Sequence, residues 1–273
     1  MSPQPLIVLL TDFGTSDTFV GVMKGVIASI CTEARVIDLT HAISAQNVRE
    51  AAFHLDRSLP YFPEGTIFVC VVDPGVGTAR KPLCVEAGPY RFVAPDNGLL
   101  TPVFDRYPVL RCHLLANTAY HLPSPSATFH GRDIFSPAAA HLAAGIAVEN
   151  LGPAVAASEC ARIEMFRNIA LENRAGWKGE VVSIDRFGNV ITSFSASMLA
   201  TAASWMVTAG SASDIAVVTT YGDVESGCPL AYIGSSGMLE IALRNGHAGR
   251  ELHIGQETPV YLHEAGQRPD RDS

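Results

Sequence analysis

The chain has 273 residues, of which 48% are apolar, and a formal net charge of −8. This length suits one large or two medium globular domains, and the negative charge argues against a nucleic-acid partner, because neutralising phosphates requires a surplus of Lys and Arg. The six cysteines are scattered without a CxxC pair, which indicates reduced, buried thiols rather than a disulfide framework or a zinc site. We therefore expect a cytoplasmic protein that acts on a small molecule.

The N-terminal residues MSPQPLIVLLTDFG contain no basic region and only five consecutive apolar residues before Thr11. They predict neither a signal peptide nor a membrane anchor. No other stretch reaches the length needed to span a bilayer, so no membrane partner is expected.

The first half of the chain alternates short apolar, β-branched runs with helical patterns. Strands are predicted at LIVLL, RVIDL and TIFVCVV. Apolar residues recur between them at helical spacing, with Asp17 predicted as the cap of the first helix and Ser44 as the cap of the second. Continuous apolar strands separated by helices are typical of a largely parallel sheet covered on both faces. An α/β domain is therefore predicted for residues 1–155.

Three of the predicted strands are each followed by an acidic residue. Asp12 follows LIVLL, Asp73 follows TIFVCVV and Asp96 follows RFVA. In open α/β sheets, ligands bind at the carboxyl ends of the strands. We therefore expect these three carboxylates to lie at one edge of the sheet and to mark the ligand site.

The second half of the chain has a different pattern. Residues 156–177 contain alanines and charges without a clear strand, which predicts a linker. Residues 178–266 read as short strands and turns, which indicates a smaller antiparallel sheet or β-barrel. The predicted strands are GEVVSID, NVITSF, SWMVTA, DIAVVTTY, LAYIG, MLEIAL and PVYLHE. Residues 267–273 form a polar tail that we expect to be frayed.

The segment TDFGTSD allows two interpretations. It could be a strand-to-helix turn in which Asp12 accepts hydrogen bonds from nearby amides. Alternatively, Asp12 could accept both hydroxyls of a ribose diol, because an ionised carboxylate only accepts hydrogen bonds and has two oxygens. Recognition of a ribose by an acid near a strand end is a known arrangement.

Two glycine-containing segments, VVDPGVGTARK and FHGRD, place ionisable side chains where a backbone can approach a ligand closely. The first supplies Asp73 and Arg80, a pair that can hold each other and a water molecule. The second supplies His130, Arg132 and Asp133. No GK[ST] follows the first glycines, so it is not a Walker loop, and a simple glycine turn with a satisfied histidine remains the alternative.

Two further interpretations concern a metal and a second-half turn. Asp73, His130, Asp133 and His141 could in principle bind a divalent ion, but HExxH or a comparable spacing is absent, so no metal is expected. The segment IDRFGN could be only a hairpin turn. Alternatively, Asp185 and Asn189 in that segment present an acceptor and a two-sided amide, suited to an amine and an adenine edge.

Over nearly its whole length the chain resembles the S-adenosyl-L-methionine (SAM) hydroxide adenosyltransferases, which are SAM hydrolases related to the fluorinating and chlorinating enzymes. The segments that carry the resemblance are LLTDFGTSDTFVGVMKGVI, VVDPGVGTARK, FVAPDNGLL, FHGRDIFSPAAAHLAAG, IDRFGNVIT and IGSSGMLEIAL. The resemblance implies an N-terminal α/β domain and a smaller C-terminal β-barrel domain. It also implies a homotrimer with active sites between neighbouring subunits and SAM as substrate, without a cofactor.

The resemblance also implies roles for particular residues. The family's Asp, Arg and His triad corresponds to Asp73, Arg80 and His130, and its ribose-binding aspartate corresponds to Asp12. Halogenating relatives carry a tyrosine at the position of Asp73 and lack the triad, so water is the expected nucleophile here. The expected reaction is direct attack on the ribose C5′, giving adenosine and L-methionine. Which triad residue takes the proton stays open, with His130 favoured for its intrinsic pKa.

Residues of the second half are implied to complete the substrate site. Asp185 and Asn189 correspond to residues that contact the methionine amine and the adenine, and Ser235 corresponds to a serine near the methionine carboxylate. Three alternatives to a hydrolase remain: a SAM-dependent halogenase, a non-catalytic SAM- or adenosine-binding module, and a metal-dependent hydrolase of another nucleoside.

Overall fold

A computed structural model describes residues 4–172, 175–201 and 204–266. The chain divides into two compact units, the first ending at Met165 and the second beginning at Phe166. The predicted polar tail, residues 267–273, lies outside the described residues.

A six-stranded sheet with the order β2-β1-β3-β5-β4-β6 forms the centre of the first unit. Its strands are β1 (Leu6–Thr11), β2 (Arg35–Thr40), β3 (Ile67–Val71), β4 (Pro82–Ala87), β5 (Tyr90–Pro95) and β6 (Val109–Leu114). The four strands β2, β1, β3 and β5 run parallel, which confirms the predicted sheet. Strand β4 lies antiparallel between β5 and β6, a pairing that the apolar pattern did not predict.

Four helices cover this sheet. They are α1 (Phe19–Ile30), α2 (Val48–Ser58), α3 (Thr101–Arg106) and α4 (Ser136–Ala143), the last preceded by a π-helical turn (Gly131–Phe135). Both predicted caps were wrong, by one residue for α1 and by three for α2. Thr18, not Asp17, precedes α1 and makes no side-chain cap, whereas Asn47, not Ser44, caps α2 by accepting a hydrogen bond from Glu50 N at 3.0 Å. The chain after Ser44 still has to turn before the helix begins, so the first polar residue is not the cap.

The central strand β1 is buried on both faces, and its side chains alternate between two cores. Ile7 and Leu9 pack in the core that contains Met23 of α1. Val8 and Leu10 pack in the core that contains residues of α2 and α3. Because successive side chains of a strand point to opposite faces, the last residue of β1 determines which face of the sheet the following residues can reach. The loop that carries Asp12 therefore begins at a defined position on the sheet.

The second unit consists of two antiparallel sheets, with strand orders β13-β14-β10-β9 and β12-β11-β15-β8-β7. Their strands are β7 (Ile169–Ala170), β8 (Gly176–Gly179), β9 (Val181–Ile184), β10 (Val190–Ser195), β11 (Trp205–Ala209), β12 (Ala212–Ala216), β13 (Pro229–Ile233), β14 (Met238–Leu243) and β15 (Val260–Glu264), with a short helix α5 (Ala248–Glu251). Six of the seven predicted strands are present over most of their length, whereas DIAVVTTY is a strand only in its first three residues, because β12 ends at Ala216. The fold class is confirmed. Strand β7 and the start of β8 lie within the stretch predicted to be a linker.

Two chain-wide features accompany this fold. All six cysteines are free thiols, and five of them are buried. Within the described ranges, the longest helices fall short of the length and apolar character that crossing a membrane would require.

Candidate active site

The loop that follows β3 carries Asp73 and Arg80 and is held against residues 126–129. Gly77 in this loop has a φ of +76°, and a Cβ there would lie 2.6 Å from the carbonyl oxygen of Ala127. Only glycine accommodates both the left-handed backbone and this close approach. The close approach places the Asp73 loop beside the segment that leads to His130.

Asp73, Arg80 and His130 form one hydrogen-bonded group. The Arg80 Nε lies 3.0 and 2.9 Å from the two carboxylate oxygens of Asp73, and its Nη2 lies 2.5 Å from Oδ2. The same Nη2 lies 2.7 Å from Nδ1 of His130. The side chains of Arg80 and Asp73 are only 8% and 5% exposed, so the ion pair is largely shielded from water. The three residues predicted as a triad are therefore in direct contact.

The contact with Arg80 determines which nitrogen of His130 carries the proton. A guanidinium only donates hydrogen bonds, so Nδ1 of His130 must accept, and a neutral ring then carries its proton on Nε2. Burial lowers the pKa of His130, the Arg80 charge lowers it further, and the charges of Asp73 and Asp133 oppose these effects. At neutral pH the neutral imidazole is therefore favoured, with Nε2–H as a donor.

A cavity of about 420 Å³ opens beside this group, and Asp12, Asp73 and His130 all line it. Asp12 Oδ2 accepts a hydrogen bond of 2.8 Å from Gln46 N, which leaves the carboxylate with capacity for further donors. Three phenylalanines that the sequence analysis did not single out form an aromatic wall of the cavity. Ring centroids of Phe13, Phe19 and Phe129 lie 5.1 to 5.9 Å apart.

Other ionisable residues proposed from the sequence have structural partners instead. Asp133 accepts from Arg132 Nε at 2.6 Å and from Ser126 N at 2.8 Å, so it holds the loop before His130. Asp96 accepts from Ala161 N at 2.8 Å and does not line the cavity. Across residues 4–172, 175–201 and 204–266, no group of three or more His, Cys, Asp or Glu side chains is arranged to hold a metal ion.

In the second unit, Asp185 and Asn189 are joined in the turn between β9 and β10. Asn189 Nδ2 donates to Asp185 Oδ2 at 2.9 Å, and Asp185 Oδ1 accepts from the backbone N of Phe187 and Asn189. Asn189 and the 77% exposed Phe187 line a cavity of about 650 Å³. Asp185 thus forms hydrogen bonds within its own turn, as expected if IDRFGN is only a hairpin turn.

Ser235 is exposed in the turn between β13 and β14. Nearby lies Glu240, a buried acid that the sequence patterns did not indicate. Its Oε2 accepts a 2.6 Å hydrogen bond from the hydroxyl of Tyr232. That hydroxyl also lies 2.6 Å from the hydroxyl of Tyr221. Burial raises the pKa of Glu240, and the charge of Asp185 raises it further, against hydrogen bonds from Tyr232 and Ser236. The sequence signal for this acid was a glutamate within the apolar run MLEIAL, because a buried carboxyl group needs hydrogen-bond partners.

Two family descriptions match this chain. The SAM hydroxide adenosyltransferase N-terminal domain matches residues 7–152, and the SAM hydroxide adenosyltransferase C-terminal domain matches residues 179–261. These matches cover the six-stranded sheet of the first unit and most strands of the second.

Individual proteins agree with these matches. A protein of Thermus thermophilus named (R)-S-adenosyl-L-methionine hydrolase is 41% identical over 93% of this chain and 97% of its own length. A fluorinase of Actinoplanes is 27% identical over 88% of this chain and 91% of its own length. A solved structure of an uncharacterized conserved protein from Thermotoga maritima aligns with a TM-score of 0.84 at 36% identity, covering 94% of this chain and all of that one. The resemblance seen in the sequence motifs is confirmed: the chain belongs to the SAM hydroxide adenosyltransferase family.

Proposed function

We propose that this protein hydrolyses SAM to adenosine and L-methionine. The observation that carries the proposal is the hydrogen-bonded Asp73, Arg80 and His130 group, which opens onto a cavity shared with Asp12. Relatives that are 35–41% identical over 93% of this chain are named (R)-S-adenosyl-L-methionine hydrolase, whereas the relatives named fluorinase are 27–29% identical. The names of the hydrolases favour the (R) configuration at sulfur for the substrate.

The reaction is a displacement at the ribose C5′. A water oxygen forms a bond to C5′ while the C5′–S bond breaks, and the electron pair of that bond goes to sulfur. Because the sulfonium leaves as the neutral thioether of methionine, the leaving group needs no proton donor. The enzyme has to aim the water in line with the C–S bond and remove its proton, and positioning of this kind can supply a large part of the acceleration.

The hydrogen bonds of the triad lead us to revise the expected role of His130. Its Nδ1 accepts from Arg80, so the neutral ring offers Nε2–H to the water oxygen and has no free lone pair for the proton. Asp73 lines the cavity and its carboxylate oxygens can accept. We therefore assign proton acceptance to Asp73 and orientation of the water to His130, with Arg80 fixing both and stabilising the developing hydroxide.

The remaining site residues bind the substrate. Asp12 accepts the ribose hydroxyls, and Asp185, Asn189 and Ser235 contact the amine, adenine and carboxylate of SAM. We further propose that the protein is a homotrimer with active sites between neighbouring subunits, which light scattering on the purified protein would test. No metal or cofactor takes part in the proposed step.

The deciding experiment is turnover of SAM in oxygen-18 water, with and without excess chloride or fluoride, followed by mass spectrometry of the nucleosides. Adenosine that carries the heavy oxygen and is insensitive to halide supports the proposal. A 5′-halogenated nucleoside would identify a halogenase, and binding without turnover would identify a SAM-binding module. Loss of turnover on addition of a chelator would point to a metal-dependent hydrolase, and the two epimers at sulfur, assayed separately, test the (R) preference.

A further inference from the structure

His41 is a buried histidine that has no place in the proposed reaction. It lies just after β2, is 5% exposed, and does not line the cavity of Asp12 and Asp73. Its Nδ1 lies 2.8 Å from the hydroxyl of Thr11, the residue before Asp12. Its Nε2 lies 3.0 Å from Asp38 Oδ1. The Nδ1 contact is a hydrogen bond, whereas Nε2 lies beside the Asp38 carboxylate without the geometry of one.

The direction of these contacts follows from what each group can donate. The negative charge of the Asp38 carboxylate, 3.0 Å from Nε2, favours the ring tautomer that carries its proton on that nitrogen. In the neutral ring Nδ1 is then an acceptor, and Thr11 donates its hydroxyl proton to it. The same hydroxyl oxygen accepts from Phe13 N at 3.2 Å. Asp38 in turn receives Lys24 Nζ at 2.6 Å, which balances its charge.

These contacts enclose Asp12. The residues on either side of it, Thr11 and Phe13, are joined to His41 through the threonine hydroxyl, and Gly14 N donates to the backbone oxygen of His41 at 2.8 Å. Asp12 itself receives Gln46 N at 2.8 Å. His41 and Gln46 belong to the same connection between β2 and α2, so one loop holds both the backbone around Asp12 and its carboxylate.

The backbone conformation of Gln46 is a second, independent observation that supports a binding role for this arrangement. Its φ is +65°, an unfavourable conformation for a residue with a side chain. That conformation directs its N–H at Asp12. Strained backbone of this kind tends to persist at binding sites, where the surrounding contacts hold it in place.

We propose that His41 is a positioning residue for ribose binding: through Thr11 and the Gln46 loop it holds the Asp12 carboxylate in the orientation that accepts the ribose hydroxyls. The inference rests on the proposed function, because it gives His41 a part in the binding of the SAM nucleoside. It predicts that loss of the His41 contact weakens binding of the ribose and leaves the chemical step nearly unchanged.

The test compares Kd values for adenosine and 2′-deoxyadenosine, measured by calorimetry, together with KM and kcat for SAM. The variants are His41→Gln, Thr11→Val, which removes the hydroxyl, and Thr11→Ser, which keeps it. In His41→Gln an amide N–H can reach the place of Nε2, but the acceptor of the Thr11 hydroxyl at the place of Nδ1 is lost. His113→Gln is the control, because His113 lies on β6, at the opposite edge of the sheet from β2, where its Nδ1 lies 2.8 Å from the carbonyl oxygen of Gly152. Circular dichroism and thermal melting identify variants that fail to fold, and the two Thr11 variants decide the test if His41→Gln fails to fold.

We expect His41→Gln and Thr11→Val to raise the Kd for adenosine and the KM for SAM about tenfold, the effect of roughly one misplaced hydrogen bond to a charged group. Their kcat stays within about twofold, and Thr11→Ser and His113→Gln behave like the wild type. With 2′-deoxyadenosine the variants lose less than with adenosine, because only one of the two ribose hydroxyls that Asp12 accepts, the 3′-hydroxyl, is then present.

An equal loss with both nucleosides would overturn the inference, since a purely structural role affects both alike. An unchanged Kd for adenosine in Thr11→Val would also overturn it. If the wild type binds adenosine through its diol but leaves SAM intact, the proposed function fails while the role of His41 stands. If wild-type binding does not depend on the 2′-hydroxyl, the role of His41 fails even when SAM is hydrolysed.

Discussion

Substitutions at His130 and Asp73 separate the two possible proton acceptors. In His130→Asn, the amide oxygen takes the place of Nδ1 and can still accept from Arg80, but the Nε2–H donor is lost. In His130→Gln, an amide N–H can reach the place of Nε2, but the partner of Arg80 at 2.7 Å is lost. In Asp73→Asn, the size of the side chain is kept but the carboxylate that accepts from both Arg80 nitrogens is lost, so thermal melting must accompany the rate measurement for this variant.

The expected magnitudes follow from the role assigned to each group. A hydrogen bond to a hydroxide-like oxygen contributes about 1.5–3 kcal/mol, so its loss in His130→Asn should lower kcat about 10- to 150-fold. His130→Gln should keep part of that contribution and fall less. Removal of the proton acceptor in Asp73→Asn should lower kcat about 10²- to 10⁴-fold. The KM for SAM should change little in all three variants.

The assay is the initial rate of adenosine formation, followed by chromatography over a range of SAM concentrations. His113→Gln, which changes a histidine on β6 at the edge of the sheet, is the matched control. The reasoning is refuted if both His130 variants lose activity equally and more than Asp73→Asn, because neither amide can accept a proton. That result would return the role of base to His130.

Three further outcomes are expected. Because burial and Arg80 lower the pKa of His130, kcat/KM should fall with decreasing pH only below the ordinary imidazole value of 6.5, and a pH–rate profile with a midpoint above 6.5 would contradict this. Burial raises the pKa of Glu240 above its usual 4.5, so ionisation in the folded state costs stability as pH rises through the raised pKa. Glu240→Gln should therefore raise Tm relative to the wild type more at pH 8 than at pH 4.5. A difference in Tm that is the same at both pH values would argue against this. Gly77→Ala should destabilise the Asp73 loop by about 1–3 kcal/mol and reduce turnover, because its Cβ would meet Ala127 O at 2.6 Å in a left-handed backbone; wild-type melting and turnover would show that the loop can shift.

The sequence predicted those parts of the fold that depend on local periodicity. Strands β1 and β3 are almost entirely apolar, and a run of this kind is recognisable without knowledge of its partners. The antiparallel pairing of β4 with β5 and β6 was missed because the direction in which a strand joins a sheet depends on its partner strands and not on its own apolar pattern. The cap of α2 was misplaced because the turn before Asn47 depends on a long-range bond to Asp12.

The candidate site was predictable in its residue types and less so in its contacts. Asp12, Asp73, Arg80 and His130 were found because ionisable residues beside glycines follow predicted strands. The protonated nitrogen of His130 could not be predicted, because it depends on a 2.7 Å contact between residues 50 positions apart. The role of His41 was likewise hidden, since a lone histidine after RVIDLT carries no local signal of the groups it meets.

The shared guanidinium of Arg80 also limits how this site can evolve. Replacement of Asp73 alone by an uncharged residue would leave the Arg80 cation, whose side chain is 8% exposed, without its anion. An unpaired buried charge costs about 3–5 kcal/mol, a large fraction of the stability of most proteins. Single-step mutational paths away from the triad should therefore pass through poorly folded intermediates. Change at position 73 is expected to be epistatic with change at position 80, and a library that randomises both together should recover folded variants that stepwise selection misses.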